Sequence, residues 1–187
     1  MKQVILHAID EHAAVLDDMR RMAERVAEAA VLLRTIISNG GVIYLCGNGG
    51  SAADAQHLAA ELVGRFRRER RALSAIALTT DTSVLTCIGN DYSFADIFSR
   101  QVEGLVKAGD ALLAISTSGN SENVIRAAEK AKAIGATTIG LLGRDGGRLA
   151  SLCTLPLVVP ATDTARIQEM HILIGHILCD LIEGAEF

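Results

Sequence analysis

Residues 42–62 read VIYLCGNGGSAADAQHLAAEL and join three kinds of sequence in direct succession. The first five residues form an apolar run without a polar face, which is typical of a strand buried on both sides of a parallel sheet. GNGGS then predicts a loop whose glycines let the backbone approach a ligand closely. A helix rich in alanine and leucine follows, predicted over residues 52–66. A strand, a loop and a helix in this order form the repeating unit of an α/β fold.

The same unit recurs along the chain. Further strands are predicted at residues 75–78, 111–116, 137–142 and 155–159, and helices over 84–106, over 121–134, near Leu149 and over 164–182. The sequence therefore predicts an α/β fold with a five-stranded parallel sheet and helices on both faces, doubly wound like flavodoxin. No repeat, low-complexity tract or proline-rich linker divides residues 1–187, so we expect a single domain.

A long helical pattern precedes the first strand. From Gln3 to about Ser38, apolar residues recur at helical spacing, as in one long helix or two in succession. Residues 1–40 exceed what a small sheet can cover, which favours packing against another subunit. A helix lying across its own domain explains the pattern nearly as well. We expect an oligomer.

The composition excludes several classes of protein. Hydrophobic residues make up 50% of the chain, but no run approaches the roughly 20 apolar residues of a membrane span. The N-terminus carries acidic and histidine residues where a signal peptide is apolar, and the four cysteines are widely spaced without a CxxC pair. The 18 basic residues are outnumbered by 22 acidic ones, unlike in a nucleic-acid binder. We expect a cytoplasmic protein with reduced thiols and neither membrane nor nucleic acid as partner.

Three loops after predicted strands carry polar groups, and ligands of α/β folds bind beyond the carboxyl ends of strands. STSGNS, residues 116–121, places four hydroxyls at a helix N-terminus, where backbone N–H groups and the helix dipole favour an anion such as phosphate. Helix capping by Ser118 or Ser121 is an equal alternative. GNGGS, residues 47–51, is neither a GxGxxG fingerprint nor a Walker loop, which favours a phosphorylated small molecule over a nucleotide. GND, residues 89–91, adds an amide and a carboxylate, although both are common in turns.

The helix after GNGGS carries a stripe of polar residues. Asp54, His57 and Glu61 lie three and four residues apart and therefore share one face. A solvated polar edge is the ordinary explanation for such a stripe. A histidine and a glutamate one turn apart can also chelate a divalent metal or share a proton transfer.

The last predicted helix offers a second set of such residues. His176 lies on nearly the same face as Glu169 and Glu183, whereas His171 points elsewhere, as a packed or surface histidine does. Gln168 lies two turns before His176, at a distance of about 12 Å. That distance is long for chelation of one ion unless both side chains reach inward or different subunits contribute.

The segment RFRRERR, residues 65–71, is the most basic part of the chain, with five arginines. A solvated helix end explains most of it, because cations are favourable in the last turn of a helix. Arg65, one turn beyond Glu61, is also placed to reach the site or to pair with Asp91.

Four segments occur together, GNGGSAADAQHLAAEL, IGNDYSFADIFSRQV, LLAISTSGNSENVI followed by GRDGG, and RIQEMHILIGHILCDLIE. Their residues and order resemble the phosphoheptose isomerase family of the sugar isomerase domain superfamily over nearly the whole chain. The resemblance implies a cytoplasmic homotetramer with active sites between subunits. It also implies conversion of sedoheptulose 7-phosphate into D-glycero-D-manno-heptose 7-phosphate, the entry to the heptose of lipopolysaccharide.

The resemblance further implies roles for individual residues. The catalytic pair falls on Glu61 and His176, with Glu61 as the base of an enediol proton transfer and His176 exchanging protons with the sugar oxygens. The ligands of one zinc ion per subunit fall on His57, Glu61, Gln168 and His176. The substrate-binding positions fall on Asn48, Gly49, Gly50, Ser51, Glu61, Asn90, Asp91, Ser116, Thr117, Ser118, Ser121 and Gln168.

A relative of different function is the alternative. SAADAQH and RIQEMH also resemble a noncatalytic tetramer that binds the bacterial replication initiator protein. Such relatives lose the glutamate and the final histidine, which are present here as Glu61 and His176. The resemblance therefore favours the isomerase.

Overall fold

The computed structural model describes residues 1–184. Helices and strands alternate after an N-terminal helical segment, and none of the helices in this part of the chain is long and apolar enough to cross a bilayer. The helices are α1 (Lys2–Met19), α2 (Ala23–Ser38), α3 (Gly50–Val63), α4 (Thr82–Asp91), α5 (Ser99–Leu105), α6 (Glu122–Ile134), α7 (Gly147–Ala150) and α8 (Thr164–Glu183). The strands are β1 (Ile43–Gly47), β2 (Ala75–Ala77), β3 (Ala111–Ser116), β4 (Thr137–Gly143) and β5 (Leu155–Val159).

The strands form one parallel sheet in the order β2-β1-β3-β4-β5. The chain adds β2 on one side of β1 and then crosses to the other side, so the strand order reverses between β1 and β3. Ligands of doubly wound sheets bind at the carboxyl edge beside this switch point. The predicted five-stranded parallel sheet is confirmed, and each strand begins and ends within one residue of its predicted bounds.

Two hydrophobic cores cover the two faces of the sheet. Successive strand residues point to opposite faces. In β1, Ile43 and Leu45 pack with α2, α3 and α8, whereas Tyr44 and Cys46 pack with the helices between α4 and α7. Because both faces are covered, the strands tolerate no polar face, and this produces the uninterrupted apolar runs in the sequence.

The N-terminal segment consists of two helices joined by a short 3-10 turn, with different environments. Six residues of α2 are buried against the sheet, whereas no residue of α1 is buried. Val4 is 72% exposed and Ile9 57%. A polar contact ties α1 to α8, because His12 Nδ1 lies 2.7 Å from Glu169 Oε2. The long helical segment is confirmed, but its packing in an oligomer and the single-domain organisation stay predictions.

The predicted helix over residues 84–106 is wrong, because two helices and a 3-10 turn at Phe94–Asp96 occupy this segment. The chain leaves helical geometry after Asp91, and Ser93 adopts an extended conformation with φ −160° and ψ 162°. The Ser93 hydroxyl donates to Asp96 Oδ2 (2.5 Å). Short polar side chains compete with helical hydrogen bonding in this way, and here they override the apolar periodicity.

The core histidine His171 makes stability depend on pH. It is 0% exposed, and burial lowers the pKa of its imidazole to about 4. Between about pH 6.5 and pH 4 the unfolded chain binds this proton and the folded chain does not, so stability falls as the pH falls. We expect wild-type protein to lose about 3 kcal/mol more free energy of unfolding than His171→Leu between pH 7.5 and pH 4. Urea unfolding at both pH values measures this difference, and equal losses would contradict it.

Candidate active site

The loops after β1 and β3 lie side by side at the carboxyl edge of the sheet. Gly47 pairs with Ile115 near the ends of these strands, so both loops start at nearly the same level. A reciprocal amide pair joins them, in which Asn48 Nδ2 donates to Asn123 Oδ1 (2.9 Å) and Asn123 Nδ2 donates to Asn48 Oδ1 (2.8 Å). Asn123 is not predicted from the sequence, where its only signal is its place in the first turn of α6. The pair fixes GNGGS against the helix that follows STSGNS.

Hydroxyl groups gather in the STSGNS loop at the N-terminus of α6. Ser116 Oγ and Ser121 Oγ lie 3.1 Å apart, and Ser121 stands at the N-cap without a side-chain capping bond. Ser118 Oγ accepts a hydrogen bond from the Asn120 N–H within the loop (3.1 Å). Capping of α6 therefore does not explain these serines. The first N–H groups of a helix lack intrahelical partners, and with the helix dipole they favour an anion at this position.

The STSGNS loop rests directly on a second glycine-rich segment, GRDGG at residues 143–147. Gly119 has φ +64°, and a Cβ on it would collide with the carbonyl group of Gly146. The Leu149 N–H donates to the Gly119 carbonyl oxygen (3.0 Å), which joins the two segments. The loop shape therefore depends on a glycine at 119, both for its backbone conformation and for the absence of a side chain.

Three side chains with metal-binding or acid–base chemistry converge between α3 and α8. His57, Glu61 and His176 each offer a donor atom, and these atoms all lie within 4.8 Å of one another. His57 Nε2 lies 2.9 Å from His176 Nε2 and 3.4 Å from Glu61 Oε1. Residues 119 positions apart are thus brought together. Asp54 is not in this group, and burial raises the pKa of its carboxyl.

The close approach of α3 and α8 depends on Gly175. A Cβ at this position would lie 2.6 Å from a methyl group of Leu58, so any larger residue would displace this buried side chain or the helix that carries it. Gly175 directly precedes His176, and Leu58 directly follows His57. This contact between the helices is therefore adjacent to the two imidazoles.

The three donors suit a tetrahedral zinc ion. Imidazole nitrogen and carboxylate oxygen are common zinc ligands, and two donors bound to one zinc at about 2.0–2.1 Å lie about 3.3 Å from each other. The separations of 2.9 Å and 3.4 Å are close to that value. The group is also partly exposed, since the His57 side chain retains 47% and the Glu61 side chain 23% of its accessible surface. A ligand can therefore reach it.

Gln168 lies against the start of α3. A Cβ on Gly50 would stand 2.5 Å from Gln168 Nε2, so the amide of Gln168 contacts the backbone of the GNGGS loop. This contact brings the side chain to a predicted sugar-binding loop. Its participation in the metal site stays a prediction.

Asn90 and Asp91 end α4 as exposed residues. Asn90 Nδ2 donates to Asp91 Oδ1 (2.8 Å), and Asp91 Oδ2 accepts from Cys87 Sγ (3.4 Å). Arg65 pairs with Glu69 at 3.8 Å within this chain, and its contact with the site or with Asp91 stays a prediction. These side-chain hydrogen bonds of Asn90 and Asp91 lie within α4, and the contact of both residues with substrate stays a prediction.

The basic segment is less solvated than its composition predicts. The helix ends at Val63, before the predicted limit of 66. The ring of Phe66 stacks on His176 with a centroid distance of 5.3 Å and an interplanar angle of 20°. The Arg70 side chain is only 8% exposed and pairs with Glu183 at 3.0 Å. Neither contact has a signal in the sequence, because each depends on the packing of α8 against the loop after α3.

Comparisons with known proteins agree with this arrangement. A model of the SIS domain family matches residues 9–143. The phosphoheptose isomerase of Nitratiruptor sp. is 64% identical over 155 residues, covering 83% of each chain. That of Geotalea daltonii is 54% identical over 188 aligned residues, covering 100% of this chain and 98% of the other. The structure of phosphoheptose isomerase from Neisseria gonorrhoeae matches with a TM-score of 0.94 and 46% identity, over 98% of this chain and 99% of that one.

The chain is therefore a member of the SIS domain family, whose parallel sheet and carboxyl-edge loops it contains. Within that family it belongs to the phosphoheptose isomerases. The resemblance stated from the sequence is confirmed. None of these findings supports the alternative of a noncatalytic protein that binds the replication initiator.

Proposed function

We propose that this chain converts sedoheptulose 7-phosphate into D-glycero-D-manno-heptose 7-phosphate, the first step of ADP-heptose and lipopolysaccharide core biosynthesis. The observation that carries the proposal is the convergence of His57, Glu61 and His176, together with a hydroxyl-lined helix N-terminus that is bonded to the loop before α3. The first feature suits proton transfer and metal binding, and the second suits a phosphate. Membership of the phosphoheptose isomerases supports this substrate.

The substrate is held at both ends. Its phosphate binds the hydroxyls of the STSGNS loop and the first N–H groups of α6, where no lysine is needed because the helix terminus is itself positive. The GNGGS loop, fixed by Asn123 and contacted by Gln168, binds the sugar. In this proposal, phosphate contacts are made by Ser116, Thr117, Ser118 and Ser121, and sugar contacts by Asn48, Gly49, Gly50, Ser51, Glu61, Asn90, Asp91 and Gln168.

Glu61 and His176 perform the isomerisation. Glu61 removes the proton from C1 of the ketose and returns it to C2 through an enediol. His176 protonates the oxygen on C2 and takes the proton from the oxygen on C1, which moves the carbonyl from C2 to C1. Imidazole suits this exchange because its ordinary pKa of about 6.5 lies near neutral pH.

A zinc ion, one per subunit, belongs to the proposal. His57, Glu61, Gln168 and His176 would hold it, and the donor atoms of His57, Glu61 and His176 have separations compatible with zinc. The ion would supply polarisation of the substrate carbonyl.

We further propose a cytoplasmic homotetramer with active sites between subunits. The unburied α1 and its exposed apolar residues support an oligomer, because isolated helices of this kind gain most of their stability from packing. In such an assembly, exposed residues such as Asn90 and Asp91 contact a substrate that is bound by a neighbouring subunit. Widely spaced cysteines support a reducing compartment.

The proposal predicts a metal-dependent isomerase. We expect clean protein to convert sedoheptulose 7-phosphate, to lose at least about 100-fold in rate after chelation, and to recover with added zinc. Discontinuous assay of the aldose product, together with metal analysis, measures both properties. His57→Gln should lose the metal, whereas His7→Gln, an exposed histidine on α1, should retain it.

Two results would contradict the proposal. Absence of turnover by metal-loaded protein, combined with tight binding to the replication initiator, would favour the noncatalytic alternative. Full activity in metal-free protein would remove zinc from the mechanism while leaving the isomerase in place.

A further inference from the structure

We infer that Arg70 and Glu183 form a buried clamp that positions Phe66 against the imidazole of His176 and thereby orients this ring for metal binding and proton exchange. The inference rests on the proposed function and assigns a role to the basic segment after α3. The clamp consists of the side chains of Arg70 and Glu183.

Glu183 holds the backbone of the loop that carries Phe66. Its carboxylate accepts hydrogen bonds from the N–H groups of Phe66 (2.6 Å), Arg67 (2.8 Å) and Arg68 (3.0 Å). Its side chain has no exposed surface. Burial by itself raises the pKa of this carboxyl, but the three N–H groups and Arg70 lower it below its ordinary value. The carboxylate therefore stays charged, and three consecutive residues are fixed by one side chain.

Arg70 links Glu183 to the end of α3. Its Nη2 lies 3.0 Å from Glu183 Oε1 and donates to the carbonyl oxygen of Glu61 (2.8 Å). Its Nη1 donates to the carbonyl oxygen of Gly64 (2.8 Å). These carbonyls belong to the last turn of α3 and the residue after it, where helices leave acceptors unsatisfied. One guanidinium thus links the backbone at Glu61 to the C-terminal end of α8.

Phe66 is where the clamp meets the candidate metal site. The Phe66 ring stacks on His176, and the Arg67 guanidinium lies over the Phe66 ring at 4.9 Å from its centroid. A ligating histidine usually has its ring plane fixed by a hydrogen bond from its second nitrogen. Among residues 1–184, no protein group accepts such a bond from Nδ1 of His176. Contacts with the rings of Phe66 and His57 therefore set the plane of this imidazole.

Stability alone does not account for the clamp. Replacing a buried ion pair by apolar residues is often neutral or stabilising, because both charges lose their hydration. The partly buried Asp180 already ties the same loop to α8, at 3.1 Å from Arg67 and 2.8 Å from Arg68. What the buried pair adds is a defined position for the Phe66 backbone.

The test compares ring removal with ring retention. In Phe66→Leu we expect Co²⁺ affinity and kcat each to fall about 10-fold, as is usual when a partner that orients a metal ligand is lost, while KM changes by less than about 3-fold. Phe66→Tyr keeps the stacked ring and should restore both quantities to near wild type. Co²⁺ binding is followed by its visible absorption, and Tm is recorded for each variant. Wild-type affinity and kcat in Phe66→Leu, or equal losses in both variants, would overturn the inference.

A second comparison tests the clamp itself. Glu183→Gln should show the same loss as Phe66→Leu, whereas Asp180→Asn, on the same helix and bound to the same loop, should stay near wild type. If Glu183→Gln does not fold, the two Phe66 variants decide. Co²⁺ affinity is measured without substrate, so a wild-type protein that lacks isomerase activity would refute the proposed function but leave this test intact.

Discussion

Glu61→Gln is expected to lower kcat for sedoheptulose 7-phosphate by about 1,000-fold, because a positioned general base contributes roughly 100- to 10,000-fold. Among the described residues, Glu61 is the one carboxylate in the cluster with His57 and His176. The amide keeps the size of the side chain and one oxygen donor, and the Glu61 carbonyl still accepts from Arg70. We therefore expect Tm and KM to change little. Steady-state kinetics, with the zinc content measured in parallel, separates loss of the base from loss of the metal.

A matched control is available in the basic segment. The side chain of Glu69 is 92% exposed and pairs only weakly with Arg65 at 3.8 Å, so Glu69→Gln should keep kcat within about 2-fold of wild type. His176→Gln should lose activity to a similar extent as Glu61→Gln. Full activity in either site variant would refute the assigned roles.

Gly119→Ala is expected to reduce kcat/KM by about 100-fold, because a displacement of about 1 Å in a substrate-positioning group costs that much. The new methyl group would collide with the Gly146 carbonyl, and the residue would keep an unfavourable φ of +64°. The STSGNS loop must then move away from residues 143–147. Because the hydroxyls of this loop are proposed to hold the phosphate, the effect should appear mainly as a higher KM.

A control for Gly119→Ala separates the effect of backbone strain from that of the steric collision with Gly146. Gly109 has φ +92°, and a Cβ on it would meet nothing within 4 Å. Gly109→Ala should therefore lose stability by about 1–3 kcal/mol through strain but keep its KM. If Gly119→Ala likewise lost stability and retained wild-type KM, the loop would not be the phosphate site.

The sheet could be predicted from the sequence because its strands are apolar runs, of which the central β1, β3 and β4 are buried on both faces. Apolar runs such as 111–116 and 155–159 match the observed strands residue for residue. Periodicity failed between residues 84 and 106, where the Ser93 and Asp96 side chains form a local bond that ends the helical path. Such bonds depend on side-chain geometry, which an apolar pattern does not contain.

The candidate site was predictable in its residue types but not in its supports. His57 and Glu61 share a helix face by spacing alone, His176 was favoured over His171 by its helix face, and the family resemblance joined the three in one site. The partners Asn123 and Glu183 depend on how separate elements pack, so no local pattern indicates them. The basic segment shows the same limit, because the burial of Arg70 follows from its distant partner and not from its charged neighbours.

Gly175 supports the candidate metal site although it offers no ligand atom. The Leu58 side chain packs against its bare backbone, and the residues next to these two carry the imidazoles whose Nε2 atoms lie 2.9 Å apart. The proposed zinc site therefore depends on a residue that donates no atom to it. A side chain at position 175 would alter the spacing of the donor atoms while leaving every one of them in place.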